Sequence, residues 1–189
     1  MVRQKSKKKL LLIYGSPTPP ARTASLLDYL EKEVDESYPN IGVTYVQPSQ
    51  FESSSLLYWK ESDLKKVEEA DAIVIASPVY RASVPAILKQ LFDEVPVRAL
   101  RSKPVGLIAV GNISEHYLGV ERHITDILTW FGSLYVPATC YITAPSLNDG
   151  IPTKEKEQLD ELLKSTLYLS QQLDNTKLGP MPIAEVYGR

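Results

Sequence analysis

Histidine and cysteine, the side chains most often recruited to metals and to nucleophilic catalysis, are nearly missing from this chain of 189 residues: it has two histidines and one cysteine. Cys140 alone can form no internal disulfide, and such sparse thiol chemistry suits a reducing, cytoplasmic setting. His116 and His123 lack the cysteine or carboxylate neighbours that define a metal centre or a triad, so no metal and no histidine catalyst are expected. Two glycine-rich signatures are also lacking. Without G-x-x-x-x-G-K-[ST] there is no nucleoside-triphosphate loop, and without G-x-G-x-x-G no glycine backbone on which a pyrophosphate could rest. Long apolar runs are missing too. After the basic opening MVRQKSKKK only LLLIY precedes Gly15, too little for a signal peptide or a membrane span, so residues 1–8 read as a solvated tail. A net charge of −2 argues against a general nucleic-acid binder, which carries a basic face, and against an electron shuttle that steers with a dense negative field.

What is present is the composition of an ordinary globular protein, 43% hydrophobic and 23% charged, in a length that a single domain spanning 1–189 can hold. The apolar segments alternate in type. KLLLIYG (9–15), DAIVIASP (71–78) and KPVGLIAVG (103–111) are short continuous runs, the pattern of strands covered on both faces of a parallel sheet. GVTYVQP (42–48) alternates and suits an outer strand. SLYVPATCYITAP (133–145) reads as a last strand with Pro137 at a bulge or edge. Between them run helical stripes: Leu26, Leu27, Leu30 and Val34; then Val84, Ile87, Leu88, Leu91 and Phe92; then Val120, Ile124, Ile127, Leu128 and Phe131. A short helix is expected over 62–71 with Ser62 as its cap, and a final one from about Thr153. Such a series predicts an α/β doubly wound five-stranded parallel sheet, order 2-1-3-4-5, with helices on both faces. Ligands of such sheets sit beyond the carboxyl ends of the strands, so unusual residues should follow strands 1, 3 and 4.

They do. After strand 1, Gly15–Ser25 combines one glycine, three prolines, four hydroxyls and one arginine. A helix starting near Ala21–Thr23 offers free N–H groups to an anion, Ser16, Thr18, Thr23 and Ser25 add hydroxyls, and Arg22 adds a fork-shaped cation. Pro17, Pro19 and Pro20 stiffen the loop. That mixture suits a phosphate monoester; a proline-rich turn with Thr23 as a plain helix cap explains it as well. After strand 3, Pro78–Arg81 makes a stiff corner in which Tyr80 could lie along a planar ring, Ser83 can cap a helix from near Val84, and Lys89 and Asp93 pair on its surface. After strand 4, Gly111 allows close backbone approach and Asn112 can meet a ring edge. Cys140 lies within an apolar strand and reads as inert.

Taken together, these loops resemble the NAD(P)H-dependent FMN reductases of the flavodoxin-like fold, in particular the FMN reductase component of alkanesulfonate two-component monooxygenase systems. GSPTPPARTASLLDYL is similar to that group's GSPR-x-P-SRSSSLLEY loop. ASPVYRASVPAILKQLFDEVP is similar to its A-T-P-V-Y-K-A-S…G-A-L-K…L-D-L-L-P segment, and LIAVGNISEHYLGVE shares the spacing of G-G-S…A-H-L-L-A-V-D. The likeness covers about Leu10 to Gly150; the C-terminal extension, 175–189, has no counterpart in it. It implies hydride transfer from the nicotinamide of NAD(P)H to N5 of FMN. It implies FMN phosphate against Ser16, Arg22, Thr23, Ser25 and the backbone of Ala24, with Thr18 standing where the family carries arginine. The isoalloxazine is implied beside Pro78, Val79, Tyr80 and Arg81, near Ser83, with Gly111 and Asn112 at its polar edge and Arg81 as a candidate for tuning the flavin. A homodimer or homotetramer and a flavin-dependent monooxygenase as recipient are implied as well. An FMN-bound reductase of quinones, azo dyes or metal oxyanions, a flavodoxin-like electron carrier and a flavin-free binding module remain as alternatives.

Overall fold

The apolar runs become strands and the periodic stripes become helices in the computed structural model, which describes residues 7–18, 22–173 and 176–187. Strand β1 (Lys8–Tyr14) leads into α1 (Arg22–Ser37), then β2 (Ile41–Val46), a small hairpin of β3 (Ser49–Gln50) and β4 (Leu57–Tyr58), and α2 (Glu61–Glu69). Next come β5 (Ala72–Pro78), α3 (Ala86–Glu94), β6 (Pro104–Gly111) and α4 (Tyr117–Phe131). The chain continues through β7 (Leu134–Tyr135), β8 (Cys140–Thr143), α5 (Thr153–Leu173) and α6 (Ile183–Tyr187).

All pairings in the main sheet are parallel, in the order β2-β1-β5-β6, with β7 and β8 both against the free side of β6. This is the expected 2-1-3-4-5 order with one correction. The last strand is two pieces: β7 pairs with the start of β6 and β8 with its end, and the chain leaves the sheet between them at Pro137 and Ala138, the latter at φ 67°. The β3–β4 hairpin was not expected.

The period of two in β1 divides the core. Leu11 and Ile13 join the layer under α2, α3 and α4, whereas Leu10, Leu12 and Tyr14 join the layer under α1 and α5. Leu26, Leu27, Leu30 and Val34 of α1 are fully buried, each side chain contributing about 1.5–3 kcal/mol by leaving water. The strands β1, β5 and β6 are thereby clamped from both sides, which fixes the loops at their carboxyl ends.

Several polar groups at the amino ends of the strands have protein partners, although the buried Arg101 Nε and Ser133 Oγ have none among the described residues. Lys8, which begins β1 and so is no part of a free tail, pairs with Asp71 at 3.2 Å, and the other oxygen of Asp71 accepts the Lys9 N–H at 2.8 Å. Lys9 Nζ reaches Glu69 at 2.8 Å. Lys103 donates to the Val67 and Glu68 carbonyls at 2.8 and 2.6 Å, closing the end of α2. Arg101 donates to Glu185 at 2.9 Å, fastening α6, while Pro182 packs on Gly132. The C-terminal extension is therefore docked along 176–187, while 175, 188 and 189 lie outside the described residues.

Two expected caps are absent. Lys60 precedes α2 with no side-chain cap, so Ser62 lies inside the helix, and Pro85 precedes α3, so Ser83 is not its cap. The Lys89–Asp93 pair is present.

Candidate functional site

Tyr14, Pro78 and Gly111 end the three central strands on the same side of the sheet, and the loops that follow enclose an open cleft of about 620 Å³. Ser16, Thr18, Arg22 and Thr23 form one end. Pro78, Val79, Tyr80 and Arg81 form a wall, Val110 and Asn112 face it, and Ala144 closes the side. Nine of the thirteen residues singled out in the sequence thus line one cavity. Pro19, Pro20 and Ala21 lie outside the described residues.

The first end is rich in donors. Gly15 N–H donates to Ala76 O at 2.8 Å, pinning the turn to β5, and the Tyr14 hydroxyl donates to Thr18 O at 3.1 Å. Ser16 is 1% exposed, and its hydroxyl makes only long contacts of 3.4 Å with the Thr18 backbone. Thr23 is equally buried, and its Oγ1 has no hydrogen-bond partner among the described residues. A buried hydroxyl left unpaired costs about 1–3 kcal/mol, and of the buried unpaired side-chain atoms among the described residues this one alone belongs to a residue lining the cleft. No acidic residue occupies the first turn of α1, so the positive end of that helix keeps its pull on an anion. Arg22 Nη2 donates to Asn148 Oδ1 at 3.0 Å. Ser25 turns its hydroxyl to the Arg22 carbonyl at 2.8 Å, and Ala24 faces a separate cavity between α1, β2 and α2; neither lines the cleft.

The wall is built on a strained turn. Tyr80 and Ser83 exchange backbone hydrogen bonds of 2.8 and 3.0 Å, and the two residues between them, Arg81 and Ala82, have φ of 51° and 59°. Side chains at positive φ cost on the order of 1–2 kcal/mol each. Gly119 in the first turn of α4 lets this turn approach closely: a Cβ there would stand 2.6 Å from the Ala82 carbonyl oxygen. Ser83 serves the turn through its backbone and lies off the cleft. Tyr80 remains 44% exposed, leaving its ring available to a planar ligand.

Gly111 is buried and lies off the cleft. The space beside it is taken by the Tyr141 side chain, whose hydroxyl donates to the Ile113 carbonyl. Burial, with the Glu115 carboxylate second, pushes the Tyr141 phenol up and keeps it a donor. Among the described residues that line the cleft there is no histidine, cysteine or carboxylate. His123 is exposed and contacts the Gly119 carbonyl at 2.7 Å, and burial pushes the Cys140 thiol up to about 12. The His116 side chain lies outside what is described. No group of three potential metal ligands occurs among the described residues, and no helix among them is long and apolar enough to cross a membrane.

Sequence reading missed Val110, Ala144 and Asn148. The last two come from the loop after β8, which also ends at the carboxyl side of the sheet; that position was the available signal.

The sequence model of a family described as NADPH-dependent FMN reductase matches residues 8–146. Two curated relatives are named NADH-dependent FMN reductase SfnF. The one from Pseudomonas fluorescens (strain Pf0-1) is 35% identical over 50% of this chain and 51% of its own length; the one from Pseudomonas putida is 29% identical over 74% and 80%. The chain thus spans about half the length of the first relative. Among solved structures, the apo form of NADH:FMN oxidoreductase EMOB superposes with a TM-score of 0.77, covering 90% of this chain and 95% of that one at 22% identity, a likeness of fold.

Proposed function

This chain belongs to the NADPH-dependent FMN reductase family, and from that premise we propose that it uses NAD(P)H to reduce FMN held in the cleft. The observation that carries the reading is the buried, unpartnered Thr23 hydroxyl beside Arg22 at an uncompensated helix start. It is what a phosphate monoester needs and what an empty proline-rich turn does not. Ser16, Thr18, Thr23 and Arg22 hold the phosphate, aided by the N–H groups of Thr23 and Ala24 that the first turn of a helix leaves unbonded. Pro78, Val79 and Tyr80 present a flat wall to the ring, and Asn112 meets its polar edge. Bound FMN supplies the hydride acceptor, so the chain needs no acid or base of its own. Arg81, on the strained turn that lines the cleft, would supply a permanent cation to the negative charge that a bound flavin gains on reduction.

The open cleft suits a flavin that exchanges, and the reading extends to a cytoplasmic homo-oligomer supplying reduced FMN to a flavin-dependent monooxygenase. Trp130, 40% exposed between α3 and α4, supports a subunit contact. The test is FMN titration of purified protein by fluorescence, followed by anaerobic oxidation of NADH and NADPH with and without added FMN. Saturable FMN binding and flavin-dependent oxidation are expected. Failure to bind FMN, or nucleotide oxidation indifferent to it, would overturn the reading.

A further inference from the structure

Arg22 and Asn148 are 126 residues apart in sequence, yet the guanidinium of one donates to the amide oxygen of the other at 3.0 Å. Arg22 is exposed and sits at the anion end of the cleft. A long arginine side chain free in solvent loses rotamer freedom when it orders on a ligand, and a partner that orders it beforehand removes that cost. The partner is itself well anchored. A single helical turn, Ala144–Leu147, precedes Asn148; Ala144 and Leu147 are buried, and the Asn148 N–H donates to Pro145 O at 3.3 Å. Gly150, at φ 101°, then turns the chain away toward α5.

The residue type matters as much as the place. Arginine can only donate, so any acceptor holds it. A carboxylate would hold it more tightly but would cancel its charge and repel an incoming anion. A neutral amide oxygen orients the guanidinium and leaves its charge intact.

We propose that Asn148 is a positioning residue of the anion subsite, presenting Arg22 to the phosphate of FMN. This rests on the assignment of FMN phosphate to Arg22, and riboflavin, which lacks the phosphate, separates the two ideas. FMN and riboflavin are titrated separately into wild type, Asn148→Ala, Asn148→Asp, Arg22→Ala and the Arg22→Ala/Asn148→Ala double variant. Asn148→Ala should weaken FMN by about three- to tenfold, the share of one hydrogen bond, and leave riboflavin within twofold. Asn148→Asp should weaken FMN by more than about tenfold, the loss deepening at low ionic strength. In the Arg22→Ala background the second change should add nothing, because Asn148 acts through Arg22. Equal losses of FMN and riboflavin in Asn148→Ala would mark a general structural role and overturn the proposal. So would wild-type FMN-to-riboflavin preference in both Asn148 variants while Arg22→Ala loses it. If Arg22→Ala also keeps that preference, the phosphate assignment itself fails.

Discussion

Lys8, Asp71 and Lys103 at the amino ends of the central strands, and Ser16, Thr23 and Arg81 at their carboxyl ends, are polar residues of one sheet put to opposite uses. The first set is tied into ion pairs and helix-closing hydrogen bonds. Two groups near this end stay unpartnered among the described residues, Arg101 Nε and Ser133 Oγ, but Arg101 still donates through Nη1 to Glu185. The second set includes a buried hydroxyl with no partner, another with only long contacts, and an arginine at positive φ. Folding free energy is gained at one end and partly given up at the other. What is given up is recovered only when something binds, so substitutions at the two ends should separate stability from affinity.

The largest separation is expected for Arg22→Ala, which should weaken FMN by about 1.5–3 kcal/mol, the value of a charged hydrogen bond, while leaving the urea midpoint of the ligand-free protein in place. Calorimetric titration beside a denaturation curve checks both halves. At the opposite end, Asp71→Ala removes the partner of Lys8 and of the Lys9 N–H and should lower stability by about 1–2 kcal/mol, with FMN affinity unaltered. A change in affinity there would mean that the two ends are coupled.

Thr23→Val has opposite signs in one residue. Removing the orphaned hydroxyl should raise the stability of the ligand-free protein by about 1 kcal/mol and weaken FMN by a similar amount. A loss of stability would show that the hydroxyl is satisfied in solution. The smallest effect belongs to Ala82→Gly. Glycine tolerates positive φ but loses more chain entropy on folding, so a net gain near 0.5 kcal/mol in thermal or urea unfolding is expected. A destabilised variant would argue that the turn carries no strain.

Much of this was legible in the residues. The stripe Leu26, Leu27, Leu30, Val34 fixed a helix because apolar residues at that spacing share one face, and the uninterrupted runs around Ile73 and Leu107 are buried strands. The β3–β4 hairpin was not legible, since two-residue strands leave no periodic signal. Ser83 was misread because Ser before Val-Pro resembles a helix cap. The Tyr80–Ser83 turn uses Arg and Ala at positive φ, where sequence rules look for Gly or Asn. Gly111 suggested a close ligand, but its neighbour is Tyr141 from a strand thirty residues on. Asn148 could not be paired with Arg22 by spacing, because only the shared sheet brings them together.

The interruption at Pro137 and Ala138 reaches beyond local geometry. A long open border of backbone donors and acceptors is a template on which foreign chains can add and aggregate. Here β6 is flanked by segments of two and four residues separated by a kink, so no continuous ribbon is offered to a newcomer. This border of the sheet is thereby guarded against growing sideways, while the other is formed by the six-residue β2.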